Sequence, residues 1–267
     1  MSSEPAGPAE PVVPTDGDVG ATAADAGTTR RERRALARAE RRSGAVIRLD
    51  PPGFGERLLY GVIRGALVAF ARVWLRVEYR GLEHVPTDGP FILAPVHRSN
   101  IDFLLAAGCA RRRQRFLAKD TLWVPGFGRL WSALGGIPVA RGTADREALH
   151  ACQAVIELGE PLVMFPEGTR QEGPVVEELF DGPAFVQART GVPIVPVGIG
   201  GSDRAMPKGA KYIRPVKVVV VVGEPLPAPQ IEGAKARRAS VRAQTAELKG
   251  HVQALFDEAQ RRAGTPN

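Results

Sequence analysis

His97 and Asp102 stand five residues apart in the stretch Ala94-Pro95-Val96-His97-Arg98-Ser99-Asn100-Ile101-Asp102. A neutral imidazole held by a carboxylate is a good general base near neutral pH. No cysteine or serine with a nucleophile's context stands beside the pair. The base would therefore activate a substrate hydroxyl or a water rather than an enzyme nucleophile. A structural reading competes with this one. Ser99 followed by Asp102 resembles a capping box with Asp in the usual Glu place, and Arg98 and Asn100 then become ordinary turn residues.

The elements that must position the pair are legible around it. Phe91-Ile92-Leu93-Ala94 is an apolar run that predicts a buried strand, and Phe103 to Ala110 has an apolar helical pattern. Upstream, Val77 to Val85 reads as a strand and turn. Downstream come Phe116 to Ala118 as a strand and a helix from Thr121 to about Leu134. A short strand in Gly135 to Arg141 and a helix from Ala144 to Leu158 follow. Leu162 to Phe165 is a buried strand running into Pro166-Glu167-Gly168-Thr169-Arg170. A helix from Pro183 to Arg189, strands in Val192 to Ile199 and Val216 to Val222, and a helix from about Ala234 to Arg262 complete the series.

Short buried strands alternating with helices predict an α/β domain with a mainly parallel, mixed sheet flanked by helices. Ligands gather at the carboxyl ends of strands in such sheets. Those ends carry His97, Lys119, Arg141 and the Glu167 to Arg170 loop.

The formal net charge of +7 is unevenly spread. Residues 1–29 hold five acids and no Lys or Arg, whereas residues 30–48 hold eight arginines and two glutamates. Such basic surfaces attract phosphate on lipids, nucleic acid or small ligands. Residues 1–45 are rich in Pro, Gly, Ala, Ser and Thr and are expected to be a disordered tail, acidic then Arg-rich. Cys109 and Cys152 each sit in an apolar helical pattern, which suggests buried free thiols and a reducing compartment. The first residues have neither a basic n-region nor an apolar h-region, so no secretory signal is expected.

Residues 46–76 are expected to form an amphipathic membrane-associating segment. Between Phe54 and Arg76 the apolar sequence is interrupted by Arg57, Arg64, Arg72 and Arg76. No uninterrupted run reaches the roughly 20 residues a spanning helix needs. At about 100° per residue the four arginines fall within an arc of roughly 140°. Leu59, Val62, Leu67, Phe70 and Trp74 lie outside that arc, while Gly61, Gly65 and Val68 fall inside it. Such a helix suits a membrane interface, with arginines toward phosphates and Trp74 at the boundary; packing on the domain core is the alternative.

Four blocks in order make the domain resemble the glycerolipid acyltransferase family, of the 1-acylglycerol-3-phosphate acyltransferase type. His97-Arg98-Ser99-Asn100-Ile101-Asp102 matches its H-x4-D block, and Gly135-Gly136-Ile137-Pro138-Val139-Ala140-Arg141 its second. Phe165-Pro166-Glu167-Gly168-Thr169-Arg170 matches the third, and Val192-Pro193-Ile194-Val195-Pro196-Val197 the fourth. The resemblance covers residues 77–222. It departs from the family at Val96, where Asn is common, and at Asp181, where a basic residue often precedes the glycine.

The resemblance implies roles by position. His97 would be the base on the acceptor hydroxyl, and Asp102 its orienting carboxylate. Arg141, Glu167, Gly168, Thr169 and Arg170 would form the acceptor site, with the arginines on its phosphate and Lys119 as a further cation. The implied reaction moves a fatty acyl group from acyl-CoA or acyl carrier protein to lysophosphatidic acid, giving phosphatidic acid, with no metal or other cofactor. The expected domains are the tail (1–45), the interface segment (46–76), the α/β domain (77–230) and a C-terminal helix packed on it (231–267). Expected partners are membrane lipids, lysophosphatidic acid and the thioester donor, at the cytoplasmic face of the membrane in a peripheral or monotopic mode.

Other acceptors, such as glycerol-3-phosphate or another lysolipid, fit the same blocks. A nucleic-acid-binding protein would use the arginine-rich segment, but there is no aromatic platform or zinc pattern, and His97 would be left without a role. A non-catalytic lipid-binding relative would not need both members of the His-Asp pair. Residues 204–217 hold Arg204, Lys208, Lys211, Arg214 and Lys217 and no acid; they are read as a membrane-facing loop or a solvated hairpin.

Overall fold

The computed structural model describes residues 53–124, 128–139, 146–230 and 234–265. The expected tail, the first residues of the interface segment and Arg141 lie outside the described residues. Helix α1 (Phe54–Trp74) opens the described part and is followed by β1 (Glu78–Arg80), β2 (Ile92–Pro95) and α2 (Asp102–Ala107). Then come β3 (Arg115–Lys119), α3 (Gly128–Ala133), β4 (Gly136–Val139), α4 (Arg146–Glu157) and β5 (Leu162–Val163). The chain continues through α5 (Gly182–Thr190), β6 (Ile194–Gly200), α6 (Ser202–Ala205), β7 (Val219–Val222) and α7 (Ala234–Ala263).

The seven strands form one sheet in the order β1-β7-β6-β2-β5-β3-β4. Strands β2 to β6 run in one direction, so their carboxyl ends share one edge. Strand β7 is antiparallel to β6, and β1 lies parallel to β7, so this two-stranded flank is reversed. Every residue of β2 and β6 is buried, as expected of parallel strands covered on both faces. Pro196 in β6 has no N–H to give. It sits where β7 has already ended at Val222 and before the isolated bridge to Leu226, so no ladder partner is deprived.

Helix α7 lies directly on β6 and β7 through Leu248, Val252, Phe256 and Ala259, all buried. Bare strand backbone makes this approach feasible, since a Cβ on Gly198 would stand 2.2 Å from the Leu255 carbonyl oxygen. Ordinary van der Waals contact needs considerably more room.

Three local readings change. The helix predicted from Thr121 divides into a 3-10 turn, Asp120–Leu122, and α3, which starts at Gly128; the intervening Pro125-Gly126 pair disfavours a continuous helix. Strand β7 begins at Val219 rather than Val216, because the Val216 amide bonds back to the Arg214 carbonyl in a turn. The arginines of α1 do not share one role. Arg64 turns inward, its Nε donating to the Ala107 carbonyl at 3.1 Å, because the last turn of α2 offers carbonyls with no helical partner. Tyr60, Ala71 and the following Leu75 are buried against the domain. Leu58, Leu59, Val62, Phe70 and Val73 remain exposed on the opposite side.

Candidate active site

Strand pairing brings two of the sequence blocks together. Leu93 of β2 is registered with Val163 of β5, so His97 and Glu167 each lie four residues beyond one matched pair (93 + 4 and 163 + 4). The two loops then bond directly. Glu167 Oε1 accepts from the His97 amide at 2.8 Å, the Gln171 amide donates to the His97 carbonyl at 2.9 Å, and the His97 and Phe165 rings stack with centroids 4.2 Å apart.

The His97 ring is fixed from one side. Its Nδ1 lies 3.1 Å from Asp102 Oδ2, the His97 side chain is 13% exposed and the Asp102 side chain is fully buried. The same Oδ2 accepts the Arg98 and Ser99 amides, each at 2.6 Å. A carboxylate bonded in this way favours Nδ1–H and leaves Nε2 as the acceptor nitrogen. Among the described residues, Nε2 has no hydrogen-bond partner. The capping-box alternative forms in part: Asp102 Oδ2 reaches back to the Ser99 amide, but the Asp102 amide bonds to the Ser99 carbonyl rather than to its hydroxyl, and Ile101 holds the N-cap position of α2. Ser99 Oγ accepts the Ile101 amide at 3.4 Å and donates to the Met206 carbonyl at 2.8 Å.

Arg98, which the sequence left as a turn residue, has an internal task. Its Nη1 meets Glu167 Oε2 at 2.6 Å in an ion pair whose side chains are 2% and 0% exposed. Its Nη2 donates to the Val175 carbonyl at 3.0 Å, and the guanidinium lies 4.8 Å from the centre of the Phe256 ring of α7. From the same helix, Gln253 accepts the Val176 amide at 2.6 Å and donates to the Pro174 carbonyl at 3.0 Å. The available signal was Glu167 itself. A carboxylate between an apolar strand and a glycine must find a cation if it is buried, but only the fold shows which one.

This arrangement gives Glu167, expected in the acceptor site, internal partners. Its two carboxylate oxygens accept from the His97 amide and from Arg98. The rest of the block faces outward. Gly168 and Thr169 are exposed and Arg170 is half-buried. Gly168 adopts φ +68°, and an added Cβ would come within 2.8 Å of the Phe180 ring, so the turn needs glycine. Arg170 makes no hydrogen bond or ion pair among the described residues. Lys119 ends β3 on the same edge of the sheet, paired in register with Val139. At the two departures from the family pattern, Val96 is buried at the end of β2 and Asp181 accepts a 2.7 Å bond from Thr245 of α7.

An apolar cleft open to solvent lies between α1, α2, β3 and α3, lined by Ile63, Leu67, Phe103, Leu104, Phe116 and Trp131 among others. Phe103 and Leu104 directly follow Asp102, so the cleft wall and the His-Asp pair share one helix start. The arrangement thus offers an oriented imidazole, an arginine in a glycine turn and an apolar cleft.

Comparison with known proteins gives matches over the same region. Residues 76–200 match the family model described as Acyltransferase. A chloroplastic 1-acyl-sn-glycerol-3-phosphate acyltransferase of Brassica napus is 30% identical over 144 residues, 52% of this chain and 41% of the relative. A 1-acyl-sn-glycerol-3-phosphate acyltransferase of Limnanthes alba is 30% identical over 184 residues, 66% of this chain and 63% of the relative. The chain therefore spans less than two thirds of the length of these curated relatives. The crystal structure of the 1-acyl-sn-glycerophosphate (LPA) acyltransferase PlsC from Thermotoga maritima superposes with a TM-score of 0.58 at 26% identity, covering 82% of this chain and 88% of that one.

Proposed function

We propose that the chain, whose residues 76–200 match the Acyltransferase family model, acylates the free hydroxyl of 1-acylglycerol-3-phosphate to give phosphatidic acid. The observation that carries this reading is His97, with Nδ1 held by buried Asp102 and Nε2 left open, on a turn bonded to the loop that presents Arg170.

In the proposed reaction His97 Nε2 takes the acceptor hydroxyl proton as that oxygen attacks the thioester carbonyl carbon. A C–O bond forms and the C–S bond breaks, and the proton passes from His97 to the departing thiolate. Asp102 stabilises the imidazolium formed in between. Arg170, with a planar fork suited to a phosphomonoester, holds the acceptor phosphate beside the Gly168 turn, with Lys119 and Arg141 as further candidate cations. The acyl chain lies in the apolar cleft. The donor is acyl-CoA or acyl carrier protein, and a thioester attacked by a base-activated hydroxyl needs no metal or further cofactor.

The exposed apolar side of α1 supports a peripheral or monotopic seat in one leaflet, at the cytoplasmic face where the thioester donors would be. Among the described residues, no helix is long and apolar enough to cross a membrane. Purified protein given several lysophospholipids and both thioester donors, with product lipids identified by mass, tests the reading. Phosphatidic acid formed from lysophosphatidic acid is the expected result. Transfer to glycerol-3-phosphate or another lysolipid instead would replace the acceptor, and no transfer to any of them would end the proposal.

A further inference from the structure

Residues 204–217 hold five basic side chains and no acid, and they are not a hairpin: no strand lies between α6 and β7. The loop is fastened at both ends. Near its start Ser99 Oγ, in the catalytic turn, donates to the Met206 carbonyl at 2.8 Å. Lys208 Nζ pairs there with Glu172 at 3.3 Å, two residues past Arg170. Near its end Trp74 Nε1 donates to the Ile213 carbonyl at 2.9 Å, and Arg76 to the Pro215 carbonyl at 3.2 Å. Trp74 therefore fastens the loop while its ring stays partly exposed.

Between these fastenings the loop turns its side chains outward. Lys208, Lys211 and Arg214 are exposed, and Tyr212 is 66% exposed, with the Arg214 guanidinium 6.0 Å from its ring centre. Phe70 stacks on Trp74 with centroids 6.4 Å apart, so the exposed apolar side of α1 continues through these two rings onto the basic loop.

We propose that residues 206–215 form a docking surface for anionic phospholipid, in which Lys208, Lys211 and Arg214 engage headgroup phosphates and Tyr212 sits at headgroup level. An exposed aromatic among cations, continuous with an apolar helix face, fits an anionic bilayer. A soluble acidic partner would match the charges but leave the apolar side of α1 uncovered. The assignment rests on the acyl-transfer reading of the site, and it adds a consequence for the acceptor. Because the loop is fastened to the catalytic turn and beside Arg170, a membrane that seats the loop delivers lysolipid phosphate at the open end of the site.

The test is co-sedimentation of the full chain with phosphatidylcholine vesicles, with and without phosphatidylglycerol. Each basic residue near an anionic surface is worth about fivefold in partitioning. The Lys208→Gln, Lys211→Gln, Arg214→Gln triple variant should thus lose roughly 10²-fold of the extra affinity for phosphatidylglycerol vesicles. Binding to phosphatidylcholine should change little, and the lost part should be the salt-sensitive part of wild-type binding. Unchanged binding of the triple variant to the anionic vesicles overturns the proposal. So does unchanged vesicle binding with a raised KM for acyl-CoA, which would assign the loop to the thioester donor. Acyl transfer by the wild-type chain in neutral detergent micelles separates the two readings: its absence counts against the acyltransferase function, whatever the vesicles show.

Discussion

A single carboxylate oxygen, Asp102 Oδ2, accepts from His97 Nδ1 and from two backbone amides, so it both aims the base and shapes the turn. His97→Ala should lower acyl transfer by roughly 10²–10⁴-fold, the range of general-base catalysis, and leave thermal unfolding nearly unchanged. Asp102→Asn keeps a carbonyl for the amides but no charge for the imidazolium, so activity should fall without vanishing. A fully active His97→Ala variant in a lysophosphatidic acid assay would remove the mechanism. Arg170→Ala should raise KM for the phosphate-bearing acceptor with little change for the thioester, since a charge-assisted bond is worth about 1.5–3 kcal/mol. Steady-state kinetics with each substrate varied in turn would show equal shifts if Arg170 were merely structural. Arg98 acts through its neighbours. Arg98→Met leaves Glu167 buried and unpaired, and breaking such a pair typically costs about 3–5 kcal/mol. A large fall in Tm is expected, and adding Glu167→Gln should restore much of it. If the double variant were no more stable than the single one, the pair would not be the cause.

At the scale of elements, what the sequence could show depended on how local the physics was. The apolar runs of β2 and β6, the helix of α7 and the glycine of the Gly168 turn all follow from short-range pattern or backbone sterics, and each could be read. The partner of Glu167 could not, because it depends on β2 and β5 being neighbours and on α7 bringing Phe256 to Arg98. Arg64 was misread for a similar reason: an arginine on an amphipathic helix looks solvated until the end of another helix is placed under it. The cleft lies between α1, α2, β3 and α3, and its lining is scattered from Tyr60 to Val163, so in sequence it looks like any core. If it holds the acyl chain, Leu67→Trp should shift preference toward shorter acyl donors at unchanged KM for the acceptor. A chain-length series of acyl-CoA substrates would show no such shift if the chain lay elsewhere.

For the whole molecule, the two cysteines report on integrity. Burial pushes both thiols up to about 12 from an ordinary 9.0. In the folded protein neither should react with a thiol reagent near neutral pH, and both should react on denaturation; prompt labelling of the native chain would contradict the burial. The linkage has a definite sign. The raised folded values contribute stability below about pH 9, and that contribution is lost as pH rises through 9 toward 12. Denaturant midpoints measured across that window should therefore decline, and replacing Cys109 and Cys152 with alanine should flatten the decline while lowering stability at all pH values through lost packing.

The contact between Arg98 and Phe256 joins positions separated by 158 residues (256 − 98). A growing polypeptide is made from its amino end, and its early segments can begin to organise before the later ones exist. The turn bearing His97 is thus synthesised well before the ring that covers its neighbouring arginine. Until α7 arrives, water can reach the Arg98–Glu167 pair, and the Pro174–Val176 segment lacks its tether to Gln253. The proposed active centre is then among the last parts of the molecule to mature, and ribosome-bound chains arrested before residue 248 should carry the complete His-Asp sequence yet show no acyl transfer.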